Sequence, residues 1–169
     1  MLAKSAATAA LLGTKLRRYF KSDSRDVRKT VAARLSAVSK DCGSQAATTS
    51  SDCSDAYIGC FYLVVAYTVP NMKYINYCPT FFRMPPLTSV CYGVDQATTV
   101  IHEETHAPAV FSPGTDDFAY GIMDSLSLPM RYAMQNADTY ALYSNGRLPH
   151  SSPCLVCLYC GEWLLANCA

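Results

Sequence analysis

The chain has 169 residues, 50% of them hydrophobic and 16% charged, which suits one compact domain with a real core. Fourteen Lys and Arg against thirteen Asp and Glu leave a formal charge of +1, which argues against a polyanion-binding surface and so against nucleic acid as a partner. The longest apolar run, residues 61–66, falls far short of the roughly 20 residues that span a membrane, and nine cysteines in so short a chain point to an oxidising compartment.

The first residues read poorly as a signal peptide, because Lys4 is followed by a weak apolar stretch that meets Lys15, Arg17 and Arg18 at once. Ala and Leu at this density, running into residues 15–21, predict an amphipathic helix in a chain without an upstream export or pro-segment. In the next segment Val27, Val31, Leu35 and Val38 recur at helical spacing, and Arg25, Arg28, Lys29 and Arg34 are expected on a solvated face. Residues 41–55, rich in Ser, Thr, Asp and Cys, predict a loop tied down by cysteines. Residues 57–69 and 73–78 are β-branched and aromatic, and Pro70-Asn71-Met72 between them predicts a hairpin.

Asp95 is placed to cap a helix from Gln96 to His106, which Pro108 ends. Residues 109–121 are expected to be a loop. A last helix is expected from Pro129 to Asn145, with Met130, Met134, Ala137 and Ala141 as its apolar stripe and Gly146 as its stop. The character then changes to a tail with Pro149, His150, Pro153 and Cys154, Cys157, Cys160 and Cys168. Its Cys-x-x-Cys-x-x-Cys lacks the second half of a four-thiolate zinc site, so a loose disulfide-bearing segment is the expectation there.

The central feature is His102-Glu103-Glu104-Thr105-His106, an HExxH arrangement. Histidines at i and i+4 project from one face of a helix and can share a metal ion, and Glu103 stands beside them as a base for an activated water. With three His and three Glu in the chain, a chance match has odds of about one in a thousand. The chemistry implied is peptide hydrolysis. A catalytic zinc needs a third protein ligand. The remaining histidine, His150, sits in a Pro-rich tail, where a histidine is more often exposed than a ligand. The acids of Gly114-Thr-Asp-Asp-Phe-Ala-Tyr-Gly121 lie within one loop's reach of His106 and are available to the metal, although Asp116-Asp117 taken alone reads as a turn. Asp138 falls on the apolar stripe of the last helix, where a buried carboxylate needs a partner. It is expected to take the outer ring N–H of a ligand histidine; a direct zinc ligand and a solvated acid are the other readings.

These residues carry a resemblance. HEETHAP followed by SPGTDDFAYG is similar to the deuterolysin family, the aspzincins, marked by HExxH and a second motif GTxDxxYG. Similar segments occur in the same order at residues 19–21, 31–38, 95–99 and 136–142, so the likeness covers about residues 1–145. It implies a zincin-like metalloprotease domain, α+β and mostly helical, with a small antiparallel sheet or hairpin. By the same likeness one catalytic zinc is held by His102, His106 and Asp117, with Glu103 as general base and Tyr120 as transition-state donor. Asp138 is then expected behind the ligands. The resemblance further implies a Cys60–Cys78 disulfide and a bridge from Cys91 to a cysteine near the C-terminus such as Cys168. It also implies that the family's N-terminal helix is missing here, which leaves Cys53 without its usual partner.

The expected organisation is a zinc peptidase domain at 1–146 and an unmatched Cys-rich tail at 147–169. The expected function is a secreted, monomeric, zinc-dependent endopeptidase acting on proteins or peptides, away from nucleic acid and membrane. The alternative is an impaired or truncated relative that serves as a secreted cysteine-rich binding protein.

Overall fold

The structure, a computed structural model, describes residues 2–146. Helices α1 (Leu2–Leu12), α2 (Leu16–Phe20) and α3 (Arg25–Cys42) come first, followed by strands β1 (Ser50–Asp52), β2 (Ala66–Val69) and β3 (Tyr74–Tyr77). Helices α4 (Gln96–His106), α5 (Gly121–Ser127), α6 (Met130–Ala133) and α7 (Ala137–Asn145) complete it. The α+β, mostly helical expectation holds, and no helix among the described residues is long and apolar enough to cross a membrane.

The expected N-terminal helix ends at Leu12, and the segment after Gly13 restarts as the separate α2. Helix α1 buries only alanines, Ala3, Ala6, Ala7 and Ala10, whose small side chains let it lie close on α3. Helix α3 is capped by Ser24, whose hydroxyl accepts from the Val27 N–H, and it buries Val27, Val31, Leu35 and Val38 as its spacing predicts. Arg34 departs from expectation. It is 2% exposed, and its guanidinium lies over the rings of Phe111 and Tyr140 while donating to the Thr105 carbonyl at 3.3 Å. The reason lies in the helical repeat: position 34 is three residues after Val31 and four before Val38, on the buried stripe itself.

The hairpin forms, but only residues 66–69 of its first half are strand; residues 57–65 are irregular. A 3-10 turn at Pro70–Met72 joins β2 to β3 in antiparallel register, with Thr68 opposite Ile75. The segment expected to be all loop contributes β1, which pairs parallel with β3, so β3 is central and β2 is an edge strand. Cys60 and Cys78 form the expected disulfide. Cys53 is disulfide-bonded, whereas Cys91 is an exposed free thiol, which corrects the bridge expected for it. His150 and the tail cysteines lie outside the described residues.

Helix α4 carries the site, and two cores fix its rotation. Ile101 enters the main cluster of Leu16, Tyr19, Phe20, Leu35, Tyr140 and Tyr143, while Val100 enters a smaller one with Ile75, Tyr77 and Phe81. Successive residues of a helix are about 100° apart, so once Val100 and Ile101 occupy two cores, His102 must face the third direction. Asp95 starts the helix with a full capping box, its carboxylate accepting from the Thr98 N–H at 2.7 Å while Thr98 Oγ1 accepts from the Asp95 N–H. Such caps typically contribute about 1 kcal/mol.

The single C-terminal helix expected from 129 to 145 is broken. The Asn136 carboxamide oxygen accepts from the N–H groups of Phe118 and Ala119, and its amide donates to Thr139. These tertiary bonds outcompete continuation of the helix, leaving α6 and α7 as separate pieces.

Candidate metal centre

Each side chain of the site is held by a local device. His102 and His106 lie one turn apart on α4, with their Nε2 atoms 3.2 Å apart. The loop after α4 folds back onto it: Thr115 N–H donates to the Thr105 carbonyl, and the two threonine hydroxyls bond at 2.9 Å. Gly114 permits that approach, since a Cβ there would stand 2.3 Å from the His106 carbonyl oxygen. On its other side the loop is stitched to the start of α7 by Asp116 N–H to the Gln135 carbonyl and Ala137 N–H to the Asp116 carbonyl. Asp117 is thereby carried to the histidines, with Oδ1 3.1 Å from His102 Nε2 and 3.3 Å from His106 Nε2.

Those separations test the fit of a metal. Four ligands at about 2.0 to 2.1 Å from zinc in a tetrahedron lie about 3.3 Å from one another. Three donor atoms 3.1, 3.2 and 3.3 Å apart are the base of such a tetrahedron. Two imidazoles and a carboxylate, with no thiolate, are also a donor set suited to zinc with a position left open.

The outer nitrogens are occupied too. His106 Nδ1 lies 2.8 Å from the Thr115 carbonyl, which accepts its N–H and leaves Nε2 as the donor to metal. His102 Nδ1 faces Asp138 Oδ1 at 3.6 Å, and the other oxygen of Asp138 accepts from Gly121 N–H at 2.6 Å. The structure therefore brings Asp138 behind His102 rather than among the three converging donors. Burial lowers the pKa of His102, but the carboxylates of Asp117 and Asp138 more than reverse this and raise it to about 10. Burial alone would raise Asp117; its bonds to both histidines hold it far below the ordinary carboxylate range instead.

Glu103 is 5% exposed, and burial raises its pKa against the pull of both histidines. Its Oε2 accepts from the hydroxyl of Thr68 on β2 at 2.7 Å, a contact absent from the sequence reading. Tyr120 stacks on His102 with ring centroids 5.9 Å apart and bonds to Asp117; burial, then that carboxylate, push its pKa up, so the phenol is a neutral donor. All six expected residues meet at one cleft of about 930 Å³, walled by α4 and α7 on one side and by β2 and residues 59–65 on the other.

Residues 1–154 match the model of the deuterolysin metalloprotease (M35) family. The chain belongs to this family. Among its relatives, a neutral protease 2 homolog of Phaeosphaeria nodorum is 54% identical over 145 residues, covering 85% of this chain and 41% of that protein. A neutral protease 2 homolog of Aspergillus flavus is 48% identical over 149 residues, covering 86% of this chain and 37% of the relative. This deuterolysin-family chain thus spans about two-fifths of the length of the curated relatives it matches. Its fold is similar to that of a zinc peptidase from Grifola frondosa, with a TM-score of 0.63, 22% identity, and 85% of this chain and 87% of that one covered.

Proposed function

We propose that residues 1–146 form a zinc-dependent endopeptidase domain that hydrolyses peptide bonds in proteins, with 147–169 as a separate tail. The observation that supports it most is the trio of donor atoms from His102, His106 and Asp117, spaced as the base of a zinc tetrahedron. His102, His106 and Asp117 would hold zinc, which would supply Lewis acidity to the hydrolysis. Glu103, oriented into the same cleft, accepts a proton from the attacking water and returns it to the leaving amine. Tyr120 donates its phenolic hydrogen to the carbonyl oxygen as charge develops on it. Asp138 and the Thr115 carbonyl hold the two imidazoles in the tautomer that presents Nε2.

All these groups come from one chain, which supports a monomer. The disulfides and the family context support an oxidising, extracellular setting. The substrates are proteins or peptides, with no part for nucleic acid or membrane. Hydrolysis of a denatured protein, followed with and without a chelator, tests the reading. The chain should bind about one zinc and cleave; chelation should abolish cleavage, and zinc should restore it. Glu103→Gln should hold zinc yet cleave at least about 10²-fold more slowly. A zinc-loaded parent chain that cleaves nothing overturns the reading in favour of a cysteine-rich binding protein.

A further inference from the structure

We propose that Thr68 is a positioning residue for Glu103, holding one carboxylate oxygen so that the other is aimed at the water. The inference rests on the reading of Glu103 as the base. Thr68 sits on β2, an edge strand of the sheet, and its side chain crosses to α4. Its Oγ1 lies 2.7 Å from Glu103 Oε2 and 3.0 Å from the Glu103 backbone carbonyl. Both possible acceptors belong to the same residue, so the hydroxyl registers the strand against the helix at the position of the base.

The geometry matters because a glutamate has three side-chain torsions and Glu103 emerges from α4 between two directions already committed. His102 and His106 face the cleft, and Glu104, on the far side, accepts from Thr49. The helix fixes where the Glu103 Cβ points but not where its carboxylate ends. A bond from the opposing strand supplies that missing constraint, and displacement of a reacting group by about 1 Å can cost about 10²-fold in rate. Residues on both sides of this bond line the cleft, so it also fixes the width of the cleft at the reacting centre.

The test uses Thr68→Val, which keeps the branched shape and removes the hydroxyl, and Thr68→Ser, which keeps the hydroxyl. Thr68→Val should lower kcat about 10- to 100-fold, with KM changed less than about twofold and zinc content equal to the parent. Thr68→Ser should recover kcat to within about threefold of the parent. A second readout needs no activity: in the metal-free chain, Thr68→Val and Glu103→Ala, each of which removes the side-chain bond, should be non-additive by more than about threefold in the unfolding equilibrium constant. Additive effects, or a Thr68→Val enzyme as fast as the parent, overturn the inference alone. Loss of kcat in Thr68→Ser equal to that in Thr68→Val also overturns it, as packing would then be the cause. An inactive, zinc-loaded parent instead removes the base reading on which the inference rests.

Discussion

The two walls of the cleft are built on opposite plans. On one side, α4, the 114–120 loop and the start of α7 are tied by backbone bonds at Thr105, Thr115, Asp116 and Ala137 and by the branching carboxamide of Asn136. On the other, residues 57–65 leave Phe61, Tyr62 and Leu63 exposed at 63%, 95% and 74%, and hold Ile58 and Tyr62 at positive φ. That wall is anchored chiefly at its edges, where the Asp55 carboxylate accepts from the N–H groups of Gly59 and Cys60 and from the Tyr67 hydroxyl, and where Cys60 joins Cys78. The three donor atoms that converge on one point all stand on the stitched wall, and Thr68 reaches across to it from β2. The exposed side chains of Phe61, Tyr62 and Leu63 belong to the other.

The contrast can be broken most severely at Tyr120, which stands on the stitched wall. Tyr120→Phe should lower kcat about 10²- to 10³-fold with little change in KM, because the donor acts on charge formed in the transition state. An equal rise in KM would assign Tyr120 to substrate binding instead. Next comes Asp138→Asn, which keeps the size but weakens the hold on His102. Zinc affinity should fall about 10- to 100-fold, measured by competition with a chromophoric chelator; unchanged affinity would show that Asp138 orients nothing.

Much of this was legible from the sequence, and the reason differs by element. HExxH fixes its own geometry through the helical repeat, so His102 and His106 could be placed without a fold. Asp117 could not: its turn chemistry is generic, and only the second motif distinguished it. The break at Asn136 was hidden because the apolar spacing of Met134, Ala137 and Ala141 continues across it, while the partners that stop the helix are N–H groups 17 and 18 residues away. Arg34 offered a signal in its position on the buried stripe. Thr68 offered none, because a strand hydroxyl has no spacing relation to the helix it meets.

A third comparison sets the walls against each other in stability. Gly114→Ala forces a Cβ against the His106 carbonyl and should cost about 1 to 3 kcal/mol in chemical denaturation. Leu63→Ser on the exposed wall should stay within about 0.5 kcal/mol of the parent. Similar losses at the two sites would erase the distinction.

The smallest effect concerns the support behind α4. Burial would raise the pKa of Asp41, but N–H and hydroxyl donors of Thr48 and Thr49 hold it below its ordinary 3.8. A depressed carboxylate adds stability above the unfolded-state pKa and loses it as pH falls through the folded one. Stability should therefore drop as pH is taken below about 3.8, and Asp41→Asn should flatten that part of the profile.

Helix α4 has no idle side. Val100 and Ile101 are keyed into separate cores, Glu104 and Thr105 are bonded behind, and the histidines look into the cleft. Such a helix behaves like an axle locked in two slots: it cannot roll to improve the ligands without pulling an aliphatic side chain into water. The precision of the metal centre is therefore borrowed from hydrocarbon packing about a helix diameter away. Core substitutions such as Ile75→Val or Leu35→Ala, at residues that supply no donor atom, become a means of detuning metal affinity by degrees.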